Sequence, residues 1–226
     1  MTDAAYEYLD RGWSIMPCHA LVRGKCSCGK GDACGSPGKH PRTAHGVKEA
    51  SNDPSKVARW IAAYKDDGLN WAVACGVDSG VFVVDIDRGH GGFESWEAWP
   101  HHGDVPETLT ALTGGGGRHL YFRYPDDGRI GNPTNWLVGV DVRGEGGYAM
   151  LPPSNHHSGG TYRWRDDSTE PAFAPLTLMQ SLQQPSSERS SLPANSALLA
   201  GVSEGQRDNT IFRACCRWLS LNAPMS

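Results

Sequence analysis

Asp85 and Asp87, one isoleucine apart at the end of Val81-Phe82-Val83-Val84, are the residues of this chain best placed to do chemistry. In an extended strand the side chains at i and i+2 leave the same face, roughly 7 Å apart along the backbone. The two carboxylates then point together while Ile86 stays on the apolar side. Like charges ~4 Å apart repel by about 4 kcal/mol at an effective dielectric of ~20, so something must offset them. Hard divalent cations such as Mg²⁺ or Mn²⁺ do this, because they take oxygen ligands. The competing reading is a strand that runs out into a solvated acidic turn, Asp87-Arg88-Gly89.

A third acid tips the balance. Asp141 lies in the alternating stretch Val138-Gly139-Val140-Asp141-Val142-Arg143 and shares a face with Arg143. Carboxylates from neighbouring strands can hold two cations ~3.5–4 Å apart, which stabilises both the attacking and the leaving oxygen in phosphoryl transfer. Between the acids in sequence stand Gly114-Gly115-Gly116-Gly117 and then His119. Glycines such as Gly116 and Gly117 let backbone N–H groups come close to phosphate, and His119 and Arg143 add charge there. No Lys-Ser or Lys-Thr pair follows, so this is not a Walker-type loop. The plainer readings are a hairpin tip for the glycines and, for His119 alone, a satisfied structural histidine.

A second cluster precedes these residues. Cys26, Cys28, Cys34 and His40 are spaced C-x-C-x5-C-x5-H, within a stretch of Gly, Lys, Cys and Pro that lacks any apolar period. Four such donors at ~2.0–2.3 Å suit one tetrahedral Zn²⁺, and a fully saturated site is structural. Metal binding of this kind is worth on the order of 10–16 kcal/mol, enough to order a loop without a core. Cys18 and His19 are spare candidates, and His19 could displace His40. Reduced thiols on a flexible loop are the alternative.

The elements that must carry these groups follow from periodicity. Ala5, Tyr8 and Leu9 mark a short amphipathic helix that stops at Gly12, and residues 13–17 read as a strand. Asp53 caps a helix over 54–64 with Pro54 in its first turn. Strands are expected over 71–76, 81–87, 108–113, 118–124, 138–143, 148–151 and 161–164. Cys75, in the first of these, reads as an inert core thiol. Further helical segments are expected near 93–99, with Trp96 and Trp99 in the core, and near 174–182. Residues 183–200 are Ser-, Gln- and Pro-rich and read as a linker. Residues 201–226 then carry an amphipathic helix over 204–221, the expected start of a following domain. His101, His102, His156 and His157 are read as surface-loop residues without a role.

Composition sets limits. The chain has 226 residues, 38% of them hydrophobic, with 28 glycines, which fits a loop-rich protein of mixed helix and strand. No apolar run approaches the ~18 residues of a membrane span, and no basic-then-apolar leader opens the chain. A soluble, cytoplasmic protein is expected. Four of the seven cysteines fall within residues 18–34, which favours metal over disulfides. A net charge of -4 gives no overall pull toward nucleic acid, so any such binding needs local basic patches.

In order, Asp85-Ile86-Asp87, Gly116-Gly117-Arg118-His119-Leu120-Tyr121-Phe122, Val140-Asp141-Val142-Arg143-Gly144 and Pro152-Pro153-Ser154 resemble the bifunctional primase-polymerase domain of phage and plasmid replication proteins, in the archaeo-eukaryotic primase superfamily. The resemblance implies an α+β fold, an RRM-like antiparallel or mixed sheet flanked by helices, with a zinc-binding insertion over 18–42 in a catalytic domain spanning 1–182. It implies that Asp85, Asp87 and Asp141 bind the catalytic Mg²⁺ or Mn²⁺ and that His119 holds the phosphates of the incoming nucleotide. Gly38-Lys39-His40-Pro41 matches a Lys-x-Pro element of the family, which assigns Lys39 to nucleotide or template. Many members carry serine where Gly115 stands.

The activity so implied is a DNA-dependent primase and DNA polymerase acting on single-stranded DNA with nucleoside triphosphates, often joined to a helicase. Lys25, Lys30, Lys39 and Arg42 would offer the template a basic surface whose attraction weakens with salt. A second hypothesis is a non-catalytic single-strand or origin-binding module of a replicative helicase. A third is a metal-dependent nuclease.

Overall fold

The strand Val81–Ile86 is an interior strand of a five-stranded antiparallel sheet, paired on both sides, which explains its unbroken apolar run. Val81 and Val83 enter one core while Phe82, Val84 and Ile86 enter another on the opposite face. A strand buried on both faces needs no polar alternation until it emerges, and Asp85 is where the pattern breaks. The structure, a computed structural model, describes residues 1–126 and 128–183. Apart from Gln183, the expected linker over 183–200 lies outside the described residues, as does the expected helix over 204–221.

In chain order the strands are β1 Ile15–Cys18, β2 Leu21–Val22, β3 Lys25–Cys26, β4 Asn70–Ala74, β5 Val81–Ile86, β6 Thr110–Leu112, β7 Arg118–Arg123, β8 Val140–Arg143, β9 Tyr148–Leu151 and β10 Arg163–Trp164. The four helices among the described residues are α1 Thr2–Asp10, α2 Pro54–Tyr64, α3 Gly92–Ala98 and α4 Leu176–Gln183. The fold is mixed α+β with antiparallel sheets, ordered β10-β6-β7-β5-β8, β1-β4-β9 and the small hairpin β2-β3.

The resemblance implies one sheet, but apart from the small β2-β3 hairpin the strands divide between two. Past β4 the chain turns at Gly76 and only a single bridge, Gly76 to Val81, joins it to the start of β5. β4 pairs instead with β1 and β9, contacts that no local pattern encodes. The two larger sheets share one core, in which Ile15, Trp71, Val73, Ala149 and Leu151 meet Val81, Val83, Ala111 and Tyr121. Trp13 does not open a strand. Its ring stacks between Tyr8 and Tyr121, with centroids 5.7 and 5.6 Å away. On the far face, α3 and α4 cover Phe82, Val84, Ile86 and Phe122, where Trp99 is buried and Trp96 packs alongside.

Helix boundaries follow the expected physics. The Asp53 carboxylate accepts the Ser55 amide at 2.9 Å and Pro54 opens α2. α1 ends as Gly12 adopts a positive φ and Trp13 N–H reaches back to Tyr8 O. One polar knot ties the metal-loop hairpin to the body. Buried Asn70 donates to Gly38 O at 2.8 Å and to Asn155 O at 3.0 Å, and accepts from Asn155 N–H. Asn155 in turn pairs both ways with the Leu21 backbone at 2.9 Å.

Candidate active site

The register of β5 gathers the expected residues. Asp85 stands directly opposite His119 on β7 and directly opposite Asp141 on β8, so the three share one sheet face. Asp87, two residues on, belongs to the same row just beyond the strand end. The face opens into a cleft of about 790 Å³. Asp85, Asp87, His119 and Arg143 line one side, Tyr148 to Met150 of β9 another, and Lys39 and His156 close it.

Each acid has its own hydrogen-bonding or basic partner. Asp85 Oδ1 lies 3.4 Å from His119 Nε2. Asp141 accepts the Asn135 amide at 2.8 Å and Arg143 at 2.6 Å. Asp87 accepts the Gly89 amide and His90 Nδ1, each at 2.8 Å. These contacts offset the repulsion that direct cross-strand pairing of like charges imposes. Among the described residues, only the cysteine cluster has ligand atoms all drawn within 4.8 Å of one another; the carboxylates are spread more widely. Burial pushes the Asp85 carboxyl up, yet His119, Arg143 and Lys39 outweigh it and hold it below the usual carboxylate value. Burial lowers the Lys39 ammonium while Asp85 and Asp87 pull it back up.

His119 is only 5% exposed, so it forms the floor of the cleft and not a projecting arm. Its Nδ1 has no partner among the described residues. The glycine run does form a hairpin tip, between β6 and β7, but two of its amides are already used. Gly116 N–H goes to Thr113 O and Gly117 N–H to Thr113 Oγ1, both at 2.9 Å. Their value is clearance. Gly116 has φ +86°, and a Cβ on Gly117 would lie 2.5 Å from Ile86 O. Gly115 is the member of the run that lines the cleft, and its amide has no acceptor among the described residues.

Two expectations need correction. Arg42 is not a surface cation: its side chain is 3% exposed, its guanidinium lies 4.4 Å above the Tyr64 ring and bonds Ser27 Oγ, and Asp67 is 3.5 Å away. Lys25 and Lys30 remain exposed. His156 is not a surface-loop residue either. It is 5% exposed beneath the glycine turn, its Nδ1 2.9 Å from Ser158 Oγ, while that hydroxyl donates to Gly114 O at 2.6 Å. Burial, then Lys39 and His157, lower its pKa to about 4. Nothing in the period or spacing of residues 155–160 marks this histidine, since the contact that buries it spans some forty residues. His101, His102 and His157 are exposed as expected.

The metal cluster assembles as its spacing implies. His40 Nε2 lies 3.4 Å from Cys26 Sγ and 3.5 Å from Cys34 Sγ, with Cys28 completing the group. Three thiolate donors and one imidazole could hold a zinc ion with no open position. Burial, Lys30 and Arg42 keep His40 toward its neutral, ligating form. The His19 ring lies tilted against His40, centroids 4.4 Å apart, with its Nδ1 on Ser27, and Cys18 is buried in β1, so neither joins the cluster. Cys75 is buried beside β4 and its thiol is pushed up to about 12, an unreactive core group.

Among the described residues no helix is long and apolar enough to cross a membrane. No curated protein matches the chain. The family model for bifunctional DNA primase/polymerase, N-terminal, matches residues 5–177, which takes in both the cleft and the metal cluster. The chain therefore belongs to the bifunctional DNA primase/polymerase family.

Proposed function

We propose that the cleft is the nucleotidyl-transfer site of a primase and DNA polymerase that starts and extends primers on single-stranded DNA. The observation that carries this is the register that sets Asp85, which lines the cleft with Asp87, His119, Lys39 and Arg143, directly between His119 and Asp141 on the neighbouring strands. We read Asp85, Asp87 and Asp141 as the residues that would hold Mg²⁺ or Mn²⁺. Such ions, when bound, lower the pKa of the attacking 3′-hydroxyl and neutralise the departing pyrophosphate.

The side chains divide the remaining work. His119, bonded to Asp85, keeps that carboxylate ionised and aimed, and offers its ring edge to the incoming phosphates. Lys39, Arg143, His156 and the free amide of Gly115 supply donors along the cleft wall for the triphosphate. Gly117 serves this site by letting the turn pass against the β5 backbone, and Gly116 by taking the positive φ the turn requires. The five-stranded sheet with α3 and α4 behind it corresponds, in this reading, to the RRM-like sheet of the archaeo-eukaryotic primase fold, with residues 1–182 as the catalytic domain.

The Cys26, Cys28, Cys34 and His40 group would hold structural Zn²⁺, with Lys25 and Lys30 near it facing the template. A helicase domain or partner beyond the linker and a role in phage or plasmid replication in the host cytoplasm complete the proposal.

The test is a primer-synthesis assay on single-stranded templates, with ribonucleotides and deoxynucleotides supplied separately. Incorporation that depends on Mg²⁺ or Mn²⁺ and disappears in Asp85→Ala and Asp141→Ala supports the reading. Shortening of end-labelled DNA would point to a nuclease. Metal-indifferent DNA binding without incorporation would point to a recruitment module.

A further inference from the structure

The metal cluster and the cleft meet in three consecutive residues. Gly38 N–H points at Cys26 Sγ at 3.5 Å, and His40 places its Nε2 3.4 Å from the same sulfur. Lys39, between them, sends its side chain to the cleft wall that also carries Asp85 and Asp87. Residues 35–37 carry no large apolar group, so burial cannot hold this segment in place. Its other tethers are single hydrogen bonds: Asn70 on Gly38 O at 2.8 Å, the Tyr148 hydroxyl on Lys39 O at 3.1 Å, the Lys39 amide on Ser36 O at 3.1 Å and, where Pro41 bridges to Cys18, the His19 amide on His40 O and the Arg42 amide on Pro17 O, both at 2.9 Å. Each is a single neutral hydrogen bond, weaker than a metal–thiolate or metal–imidazole bond.

We propose that the Cys/His cluster is the positioning device for Lys39: metal in that site fixes the ammonium in the cleft, where it meets the phosphates of a nucleoside triphosphate. This rests on the reading of the cleft given above. Zinc then governs substrate binding as well as the order of a loop. Without it the segment around Gly38 is held by neutral hydrogen bonds alone, and the ammonium samples solvent.

The experiment uses the full chain and has two readouts. The first needs no nucleotide: an amine-reactive reagent modifies the protein before and after a zinc-selective chelator, and mass spectrometry reports each lysine. Lys39 modification is expected to rise severalfold. Lys56, bonded to Glu49 O and lying over Trp60, is expected to stay constant. No change at Lys39, or a parallel rise at Lys56 that signals general unfolding, overturns the proposal.

The second readout is the Kd of a fluorescent deoxynucleoside triphosphate with Mg²⁺ in excess. Lys39→Met in zinc-loaded protein and Cys28→Ser are each expected to weaken binding about tenfold, the loss of one charge-assisted hydrogen bond. The double variant should be no weaker than either single one, because both remove the same interaction. Tyr148→Phe, which keeps the metal, should cost a few-fold in the same direction. A hundredfold, multiplicative loss in the double variant, or unchanged binding in Cys28→Ser, overturns the coupling. If the parent protein binds no triphosphate while Lys39 labelling still responds to zinc, the cleft assignment falls and the positioning of Lys39 stands.

Discussion

Asp85 and Asp141 face each other directly across β5 and β8, two acids in register on adjacent strands. Direct opposition of like charges destabilises a sheet by roughly 0.2–1 kcal/mol, so the arrangement is not one that folding favours for its own sake. His119, Lys39 and Arg143 already offset that repulsion, so Asp85→Asn and Asp141→Asn lose attraction along with it and are expected to melt within a few degrees of the parent. Primer synthesis in the same variants is expected to fall at least ~100-fold, as for loss of groups that order a metal. Thermal melts and incorporation assays on one preparation check both halves. A variant that keeps full incorporation would end the case for these acids.

Clearance at the hairpin tip gives a contrasting pair. A Cβ at Gly117 would meet the Ile86 carbonyl at 2.5 Å, with Asp87 just beyond. Gly117→Ala is expected to cost ~1–3 kcal/mol, as overpacking does, and to displace the acidic row. Gly115→Ser meets only His156 Cε1 at 3.3 Å and should leave the fold stable. Urea unfolding of the two variants discriminates between them.

For the metal cluster, elemental analysis is expected to find about one zinc per chain, in keeping with a four-donor site. Cys28→Ser combined with Cys34→Ser should lose it. The doubly substituted protein should also be cut faster by protease within residues 23–40, whose order depends on the ion. Zinc-free protein with an equally resistant loop would count against this.

His156 makes stability depend on pH. Its folded pKa is about 4 against ~6.5 when unfolded, so between these values the unfolded chain binds more protons. Stability from this group is complete above pH ~6.5 and is lost as pH falls toward 4. Lys39, His157 and His119 face the ring and resist its charging, while Asp87 favours it. His156→Gln is expected to reduce the fall in melting temperature on acidification by ~2–4 °C per kcal/mol removed. His19, also lowered to about 4, leaves part of the slope in place. Melts between pH 4.5 and 8 check it.

Much of the site was legible because its signals are local. The Asp85-Ile86-Asp87 step, the glycine turn with His119 behind it, and the Cys/His spacing each depend on chain geometry over a few residues, and each takes the shape its pattern implies. What escaped was decided at long range. His156 is buried because Ser158 bonds Gly114, and Arg42 is hidden because Tyr64 and Asp67 receive it. The division into two sheets depends on β4 choosing β9, far along the chain, over its neighbour β5. A periodicity reads which face of a strand is apolar; it does not read which strand will lie beside it.

Asn70 carries a consequence of its own. One carboxamide, 1% exposed, donates through Nδ2 to the Gly38 carbonyl before Lys39 and accepts at Oδ1 the amide of Asn155, the residue before His156. The Lys39 and His156 segments that close the cleft are thus braced through a single buried side chain that does not line the cleft itself. Damage at Asn70 would surface as simultaneous faults at Lys39 and His156, and a screen confined to residues in view of the substrate would miss their common origin.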